Sequence, residues 1–360
     1  MKAFLLLCFF SPIVSFTQIS ITEADFAGAD ESVIMSITTD NNIDFATTGV
    51  NHTWDFSNLT LETQRFRGFM GMSGVPTFVY AVFVATILSD YQATYYLPST
   101  DLPLNDISGF LPISITDVNQ YTRKTSNAIT SIGYSVNIEG NTIPVRSDTI
   151  ETRYKFPMYY GDSYSSRGYT NLDMNPFFDA IFRQYRQRYT EVDGWGNITT
   201  PYGSFDALRV KHTINEIDSI RIDVFGNLTW IPIPVPDSYI YEWLANGEDD
   251  AILRITTTDI LGTETVTGIE YKDYDYGLGL NELALEVELY PNPASEQISI
   301  KNVPLGSSFS VVDMSGSLVL DGIIDSPLVQ VNIAALDNGM YEFIVKDAHQ
   351  ISRKSFIKQD

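Results

Sequence analysis

The sequence predicts a mainly β fold: a large antiparallel curved sheet or half-barrel, followed by a small Ig-like β-sandwich. Three observations carry this reading. The 360 residues are 44% hydrophobic and include 21 Tyr and 21 Phe, a composition that suits half-buried pleated surfaces. Apolar residues recur at every second position in several runs, and long helical periodicity is rare. Gly, Asn, Asp and Pro separate those runs at turn spacing. A chain this long and this apolar has material for two or three cores and does not have the composition of a disordered protein.

Charge and cysteine content narrow the function classes. With 22 Lys and Arg against 45 Asp and Glu, the net charge is −23, so a polyanion such as nucleic acid is repelled over most of the surface. The single cysteine, Cys8, lies in a leader expected to be removed, which leaves no thiol for a disulfide, a metal site or a nucleophile. The three histidines, His52, His212 and His349, are scattered.

In chain order, Lys2 followed by an apolar run from Phe4 to Phe16 reads as a secretory signal peptide over residues 1–17, cut between Thr17 and Gln18. Leu7 before Cys8, with apolar sequence continuing behind it, argues against a lipid anchor. The β-rich region then runs over 18–280. Val75 to Leu88 is too short for a membrane helix and opens with Pro76, so it is expected as a buried strand or short helix. Ile132, Tyr134, Val136 and Ile138 fall on one face of a strand, and Ile150, Thr152, Tyr154 and Phe156 on one face of the next. Ile138-Glu139-Gly140-Asn141-Thr142 and Phe225-Gly226-Asn227-Leu228 are expected as hairpin-like turns, since Gly and Asn tolerate positive φ. Asp173 to Tyr185 is ambiguous between helix and strand, and Gly194-Trp195-Gly196 is expected to end it. Leu208, Val210, His212 and Ile214 share a face opposite Arg209 and Lys211; Ala251, Leu253 and Ile255 oppose Arg254 and Thr256. One face is then buried and the other wetted.

After a linker at 281–289 comes Tyr290-Pro291-Asn292-Pro293-Ala294-Ser295, a stiff extended entry because proline fixes φ and cannot donate. Alternating runs follow at Ile298/Ile300, Phe309/Val311, Val329/Val331/Ile333 and Tyr341/Phe343/Val345, separated by turns at Pro304-Leu305-Gly306, Ser315-Gly316 and Asp337-Asn338-Gly339. That pattern is a small antiparallel sandwich over 290–360.

This segment resembles the type A C-terminal sorting domain of the bacterial type IX secretion system. The matching pieces are YPNPAS at 290–295, VVDMSGSLV at 311–319, LDNGMYEFIV at 336–345 and the basic finish RKSFIK at 353–358, with Tyr290, Pro291, Asn292, Pro293, Gly316, Gly339, Tyr341, Lys354 and Lys358 as motif residues. The resemblance covers about one fifth of the chain. It implies Sec export across the inner membrane, passage through the type IX machinery, and release of the passenger or its attachment to surface lipopolysaccharide after the sorting domain is cut off. Phrases in the region before it, such as HTWDFSNL at 52–59 and YEWLANG at 241–247, are similar to uncharacterised secreted proteins that carry the same domain. TPYGSFDALRVK at 200–211 resembles lipoprotein-carrier-like half-barrels over a dozen residues.

Candidate chemistry is sparse. His52-Thr53-Trp54-Asp55 groups an imidazole, an indole and a carboxylate, but no nucleophile elbow accompanies it, so a buried Trp54 with Asp55 in a turn is expected. His212 should point inward, with Glu216 on its face. Arg183, Arg186 and Arg188, interleaved with Tyr185 and Tyr189 and near Trp195, form a basic aromatic strip that suits contact with an acidic glycan, or pairing with carboxylates across the sheet. No catalytic, cofactor-binding or metal residue is assigned, and no cofactor is expected. The functional expectation is an exported non-catalytic β-protein acting as a binding or structural module. The alternative is an extracellular glycosidase-like hydrolase using Asp55 and Glu242, which requires those carboxyls across one cleft.

Overall fold

The computed structural model describes residues 19–40, 43–104, 113–224, 227–276, 288–301, 303, 307–313, 318–324, 329–346 and 351–359. The expected leader, most of the linker and Gly316 lie outside them. Fourteen strands build the first sheet: β1 (Glu31–Thr38), β2 (Val50–Asp55), β3 (Thr63–Gly71), β4 (Tyr95–Pro98), β5 (Ile115–Thr125), β6 (Ala128–Ile138), β7 (Asn141–Lys155), β8 (Ser163–Asp173), β9 (Ile181–Thr200), β10 (Gly203–Val224), β11 (Asn227–Ile233), β12 (Ser238–Leu244), β13 (Leu253–Ile260) and β14 (Thr263–Lys272).

The sheet is curved and, as the alternation predicts, antiparallel except for β2, which runs parallel to β9; it closes beyond a half-barrel. Neighbours run β10-β12-β13-β14-β1-β3-β4-β5-β6-β7-β8-β9, and β9 pairs back onto β10, completing a twelve-strand ring. Closure rests on the long β9–β10 hairpin, whose two edges are shared: β8 and β2 lie along β9, β11 and β12 along β10. Closing a sheet satisfies the backbone groups an edge strand leaves unpaired.

The Val75–Leu88 segment forms α1 (Thr77–Phe83), with Val79 and Phe83 buried and Phe78 exposed. Phe83 stacks on Tyr121 at 4.3 Å. Arg146 of β7 donates to the Val82 carbonyl at 2.9 Å, satisfying an acceptor that the helix end leaves open. The Glu139-Gly140 turn has both residues at positive φ, 51° and 79°, the geometry a two-residue hairpin needs. The Phe225-Gly226 turn lies outside the described residues, although β10 and β11 pair on either side of it.

Three expectations are corrected. Asp173 to Tyr185 is neither one helix nor one strand: β8 ends at Asp173, a turn follows, and β9 begins at Ile181. Gly194-Trp195-Gly196 does not end that element, because β9 continues through it to Thr200. These glycines admit β2 instead; a Cβ on Gly196 would stand 1.9 Å from the His52 carbonyl oxygen. In β7 the alternation breaks where the β6 register shifts between Ile129, opposite Tyr154, and Thr130, opposite Thr152. Arg153 is the extra residue of that bulge, and both Arg153 and Tyr154 reach the ring interior.

The division into a buried and a wetted face is also revised. Along β12 and β13 the apolar faces look outward. Tyr241, Trp243, Leu253 and Ile255 pack under Phe45, Trp54, Phe56 and Leu59, while Glu242 and Arg254 point into the ring. The polar face is therefore internal, and both faces are covered.

The C-terminal segment forms β15 (Glu288–Tyr290), β16 (Gln297–Lys301), β17 (Ser308–Asp313), β18 (Leu318–Ile323), β19 (Val329–Asn332), β20 (Gly339–Lys346) and β21 (Ile351–Lys358) in two small sheets. The sheets share a core of Ile298, Ile300, Val311, Phe343, Val345 and Phe356, as a sandwich requires.

Candidate functional site

Along the inner faces of β9 and β10, apolar layers flank a polar one. Phe182 and Ile220 join Leu102, Leu104, Tyr134 and Val136 at one level. Val192 and Val210 join Phe26, Phe156 and Leu244 at the other. Between them lie Gln184, Arg186, Arg188 and Thr190 of β9, and His212, Ile214, Glu216 and Asp218 of β10, all buried or nearly so. This layer borders a cavity of about 860 Å³, within the range of small-molecule sites. Exposed Thr100, Pro234, Pro236 and Thr267 stand at its outer margin.

The walls carry two ionic networks. In the first, Arg254 binds three carboxylates: Glu242 at 2.6 Å, Asp250 at 2.7 Å, and Glu270. Arg67 adds a contact to Asp250 at 2.8 Å, and Arg65 reaches Glu270. Tyr154 donates to Glu242 at 2.7 Å, and His212 Nε2 lies 3.2 Å from the same oxygen. Burial alone would raise the Glu242 carboxyl, but Arg254, His212 and Tyr154 outweigh it and hold it well below the usual carboxylate range. Asp250 and Glu270 are lowered in the same way by Arg254 and Arg67. Burial, with Arg188 nearby, pushes His212 down against the opposing pull of Glu242. The neutral ring then donates from Nε2 and accepts from Thr190 at 2.9 Å through Nδ1.

In the second network, Arg186 binds Glu216 at 2.6 Å and Asp101 at 3.1 Å. Arg153 reaches Asp101, and Arg188 binds Glu151 through Nε. Asp218, beside them on β10, is fully buried with neither carboxylate oxygen accepting a hydrogen bond. Burial and then the Glu216 charge push its carboxyl up to about 8. It therefore keeps its proton at neutral pH.

The pleat divides the predicted basic aromatic strip. Arg186 and Arg188 face the cavity, whereas Arg183, Tyr185 and Tyr189 face outward. Arg183 sits 4.0 Å from the Trp230 ring centroid, and Trp195 is half-buried against the cluster of Val192 and Leu208. His212 points inward as expected, but its carboxylate is Glu242 and not Glu216. Trp54 is buried and donates to the Thr47 carbonyl at 2.9 Å, and Asp55 accepts from Ser57. Asp55 and Glu242 line two different cavities and form no pair across one cleft. The sequence reading missed Arg65, Arg67, Arg153, Glu151, Asp250 and Glu270. The alternation of Arg65 and Arg67 in β3 was a usable signal; the bulge that turns Arg153 inward left none.

In the C-terminal sandwich, the two ends of the motif set meet. Asn292 accepts from the Ile357 amide at 2.9 Å and donates to the Ser355 carbonyl at 3.2 Å. Ala294 is buried and exchanges backbone bonds with Ile357 and Gln359 at 2.9 Å each. Tyr341 packs on Phe356 at 5.6 Å and donates to the Asp337 carbonyl. Tyr290 is partly exposed, with Lys301 4.7 Å from its ring centroid. Lys354 is exposed and Lys358 is buried, so the basic finish is not one uniform surface cluster.

No curated protein matches the chain. Among solved structures it is similar, at 9% identity and a TM-score of 0.20, to PorZ, a bacterial surface component of the type-IX secretion system of Porphyromonas gingivalis. The match covers 68% of this chain and 58% of that one, a likeness too slight to carry over anything said of that protein. The family model for the secretion system C-terminal sorting domain matches residues 288–359, the segment whose YPNPAS entry is hydrogen-bonded to its last strand. The chain thus carries the C-terminal sorting domain of the type IX secretion system, the address for export to the cell surface or the medium.

Proposed function

We propose that residues 18–280 are an exported, non-catalytic binding module that takes a small ligand into the ring interior. In this reading residues 1–17 are a Sec leader, 281–289 a linker and 290–360 the sorting domain. The passenger is released, or joined to lipopolysaccharide, once that domain is removed. The observation that carries the binding role is the cavity of about 860 Å³ held open between two ionic networks. A hydrolase fits it less well. Glycosidases need one carboxyl with a raised pKa beside one that stays ionised, both facing the substrate; Glu242, Asp250 and Glu270 are all held low by arginine, and Asp218, whose carboxyl is raised, does not line the cavity.

The test uses the purified full chain against a panel of glycans and small metabolites, with a parallel assay for cleavage. Saturable binding that is lost in Thr267→Trp, which fills the outer margin of the cavity, supports the reading. Turnover of any bound glycan overturns it.

A further inference from the structure

Resting on that reading, we infer that the ligand is a small monoanionic carboxylic acid whose carboxylate is gripped by the Arg188 guanidinium, with Arg153 beside it. Arg188 is only 3% exposed and lines the cavity. A guanidinium carries five N–H donors. Its Nε is spent on Glu151, but among the described residues neither Nη atom donates to any protein group. Nor are those atoms sealed into protein, since they are absent from the fully enclosed unpartnered set that includes Arg153 Nε. A buried guanidinium whose fork faces a cavity is a bidentate receptor for a planar oxyanion.

Arg153 strengthens the site. The β7 bulge turns it inward, and burial followed by Arg188 and Arg186 pushes its guanidinium downward, the mark of positive crowding. Charge bookkeeping sets the valence. Among the described residues, six arginines (65, 67, 153, 186, 188 and 254) but five carboxylates (101, 216, 242, 250 and 270) line the cavity, since Glu151 is not part of its wall. One added negative charge is within reach of the spare Arg188 donors. A dianion would overcharge the interior of a chain that already carries −23. The surroundings fit an organic acid: Ile214 lies directly across from Arg188 in the β9–β10 pairing, and Ile233, Val235 and Ile240 extend that wall.

The carboxylate could belong to an acidic sugar or to an aliphatic acid, so the probes are D-glucuronate and octanoate. D-glucose and 1-octanol serve as uncharged counterparts in calorimetric titrations of the full chain. The expected result is saturable binding of one acid over its counterpart, weakened roughly ten- to hundredfold in Arg188→Gln and abolished in Thr267→Trp; which acid binds identifies the source. Because Arg188→Gln strands the Glu151 charge, the double variant Glu151→Gln/Arg188→Gln is run beside it, with far-ultraviolet circular dichroism as the folding control. Acid binding unchanged in both Arg188 variants but lost in Thr267→Trp overturns the Arg188 assignment and leaves the interior-binding reading standing. Acid binding indifferent to Thr267→Trp overturns both. No binding of either acid at about 10 mM, a limit near −3 kcal/mol, overturns the carboxylate inference.

Discussion

Asp218→Asn should stabilise the protein, and by an amount that depends on pH. Asp218 is fully buried, its two oxygens accept no hydrogen bond, and its carboxyl is pushed up to about 8. An unfolded aspartate titrates near 3.9. Between those values the native state keeps a proton that the unfolded chain has released, so stability falls as pH rises, by about 1.4 kcal/mol per unit for one proton. Above about pH 8 both states are ionised and the loss levels off. Asparagine has the shape of the protonated acid, can donate to Glu216, and has nothing to lose. The stability gap between variant and parent should therefore widen by about 2–3 kcal/mol from pH 6 to pH 8. Urea unfolding of the full chain, followed by tryptophan fluorescence at the two pH values, measures it. A gap of the same size at both would refute the raised carboxyl.

Three further outcomes are expected. Gly196→Ala should detach β2 and cost about 2 kcal/mol or more, since its Cβ would meet the His52 carbonyl at 1.9 Å; thermal melting and protease cleavage within 43–60 check it. Arg254→Met leaves Glu242, Asp250 and Glu270 without their shared cation, a loss of about 3–5 kcal/mol. In the parent these lowered carboxyls stabilise the fold fully above about pH 4.5 and lose that contribution as pH falls through their folded values, so the stability gap between parent and variant should be widest near neutral pH and narrow in acid, which urea unfolding at two pH values measures. In the sorting domain, Phe356→Ala should cost about 3–5 kcal/mol because Phe356 is fully buried. Exposed Lys354→Glu should cost under about 0.5 kcal/mol yet reduce export. Cell fractionation showing normal export of folded Lys354→Glu would refute the charge as the handle. These substitutions separate what removal of residues 355–360 confounds, because that cut takes Phe356 and half of β21 as well.

The strands were legible in the sequence where alternation ran unbroken. Tyr134, Val136 and Ile138 share one core as their spacing implies, whereas Ile132, the extra residue where the register shifts between Ser131 and Gly133, packs instead with Phe83 and Tyr121. What alternation cannot give is which side of a closed sheet its polar set faces. Glu242 and Arg254 alternate with apolar residues as surface residues would, yet they sit inside, because Trp54, Phe56 and Leu59 cover the outer face. Reading β9 as a strip grouped Arg183 and Tyr185 with Arg186 and Arg188, although a pleat sends neighbours to opposite faces. Local motifs fared better: YPNPAS owes its signal to prolines that fix φ within their own few residues, although its Asn292 bonds the far end of the domain, whereas the cavity draws on strands as distant as β3, β7 and β14.

The seam between β1 and β14 pairs Met35–Thr38 with Ile269–Lys272, so the first and last strands of the ring are neighbours. Folding therefore cannot proceed strand by strand to completion as the chain emerges: the earliest strand waits for the latest, and the loop between them spans nearly the whole module. Pairing over such sequence distance is slow, and until it happens β1 and β14 present open edges that recruit other chains. A cell that makes this protein has to shield an unclosed sheet until its last strand arrives.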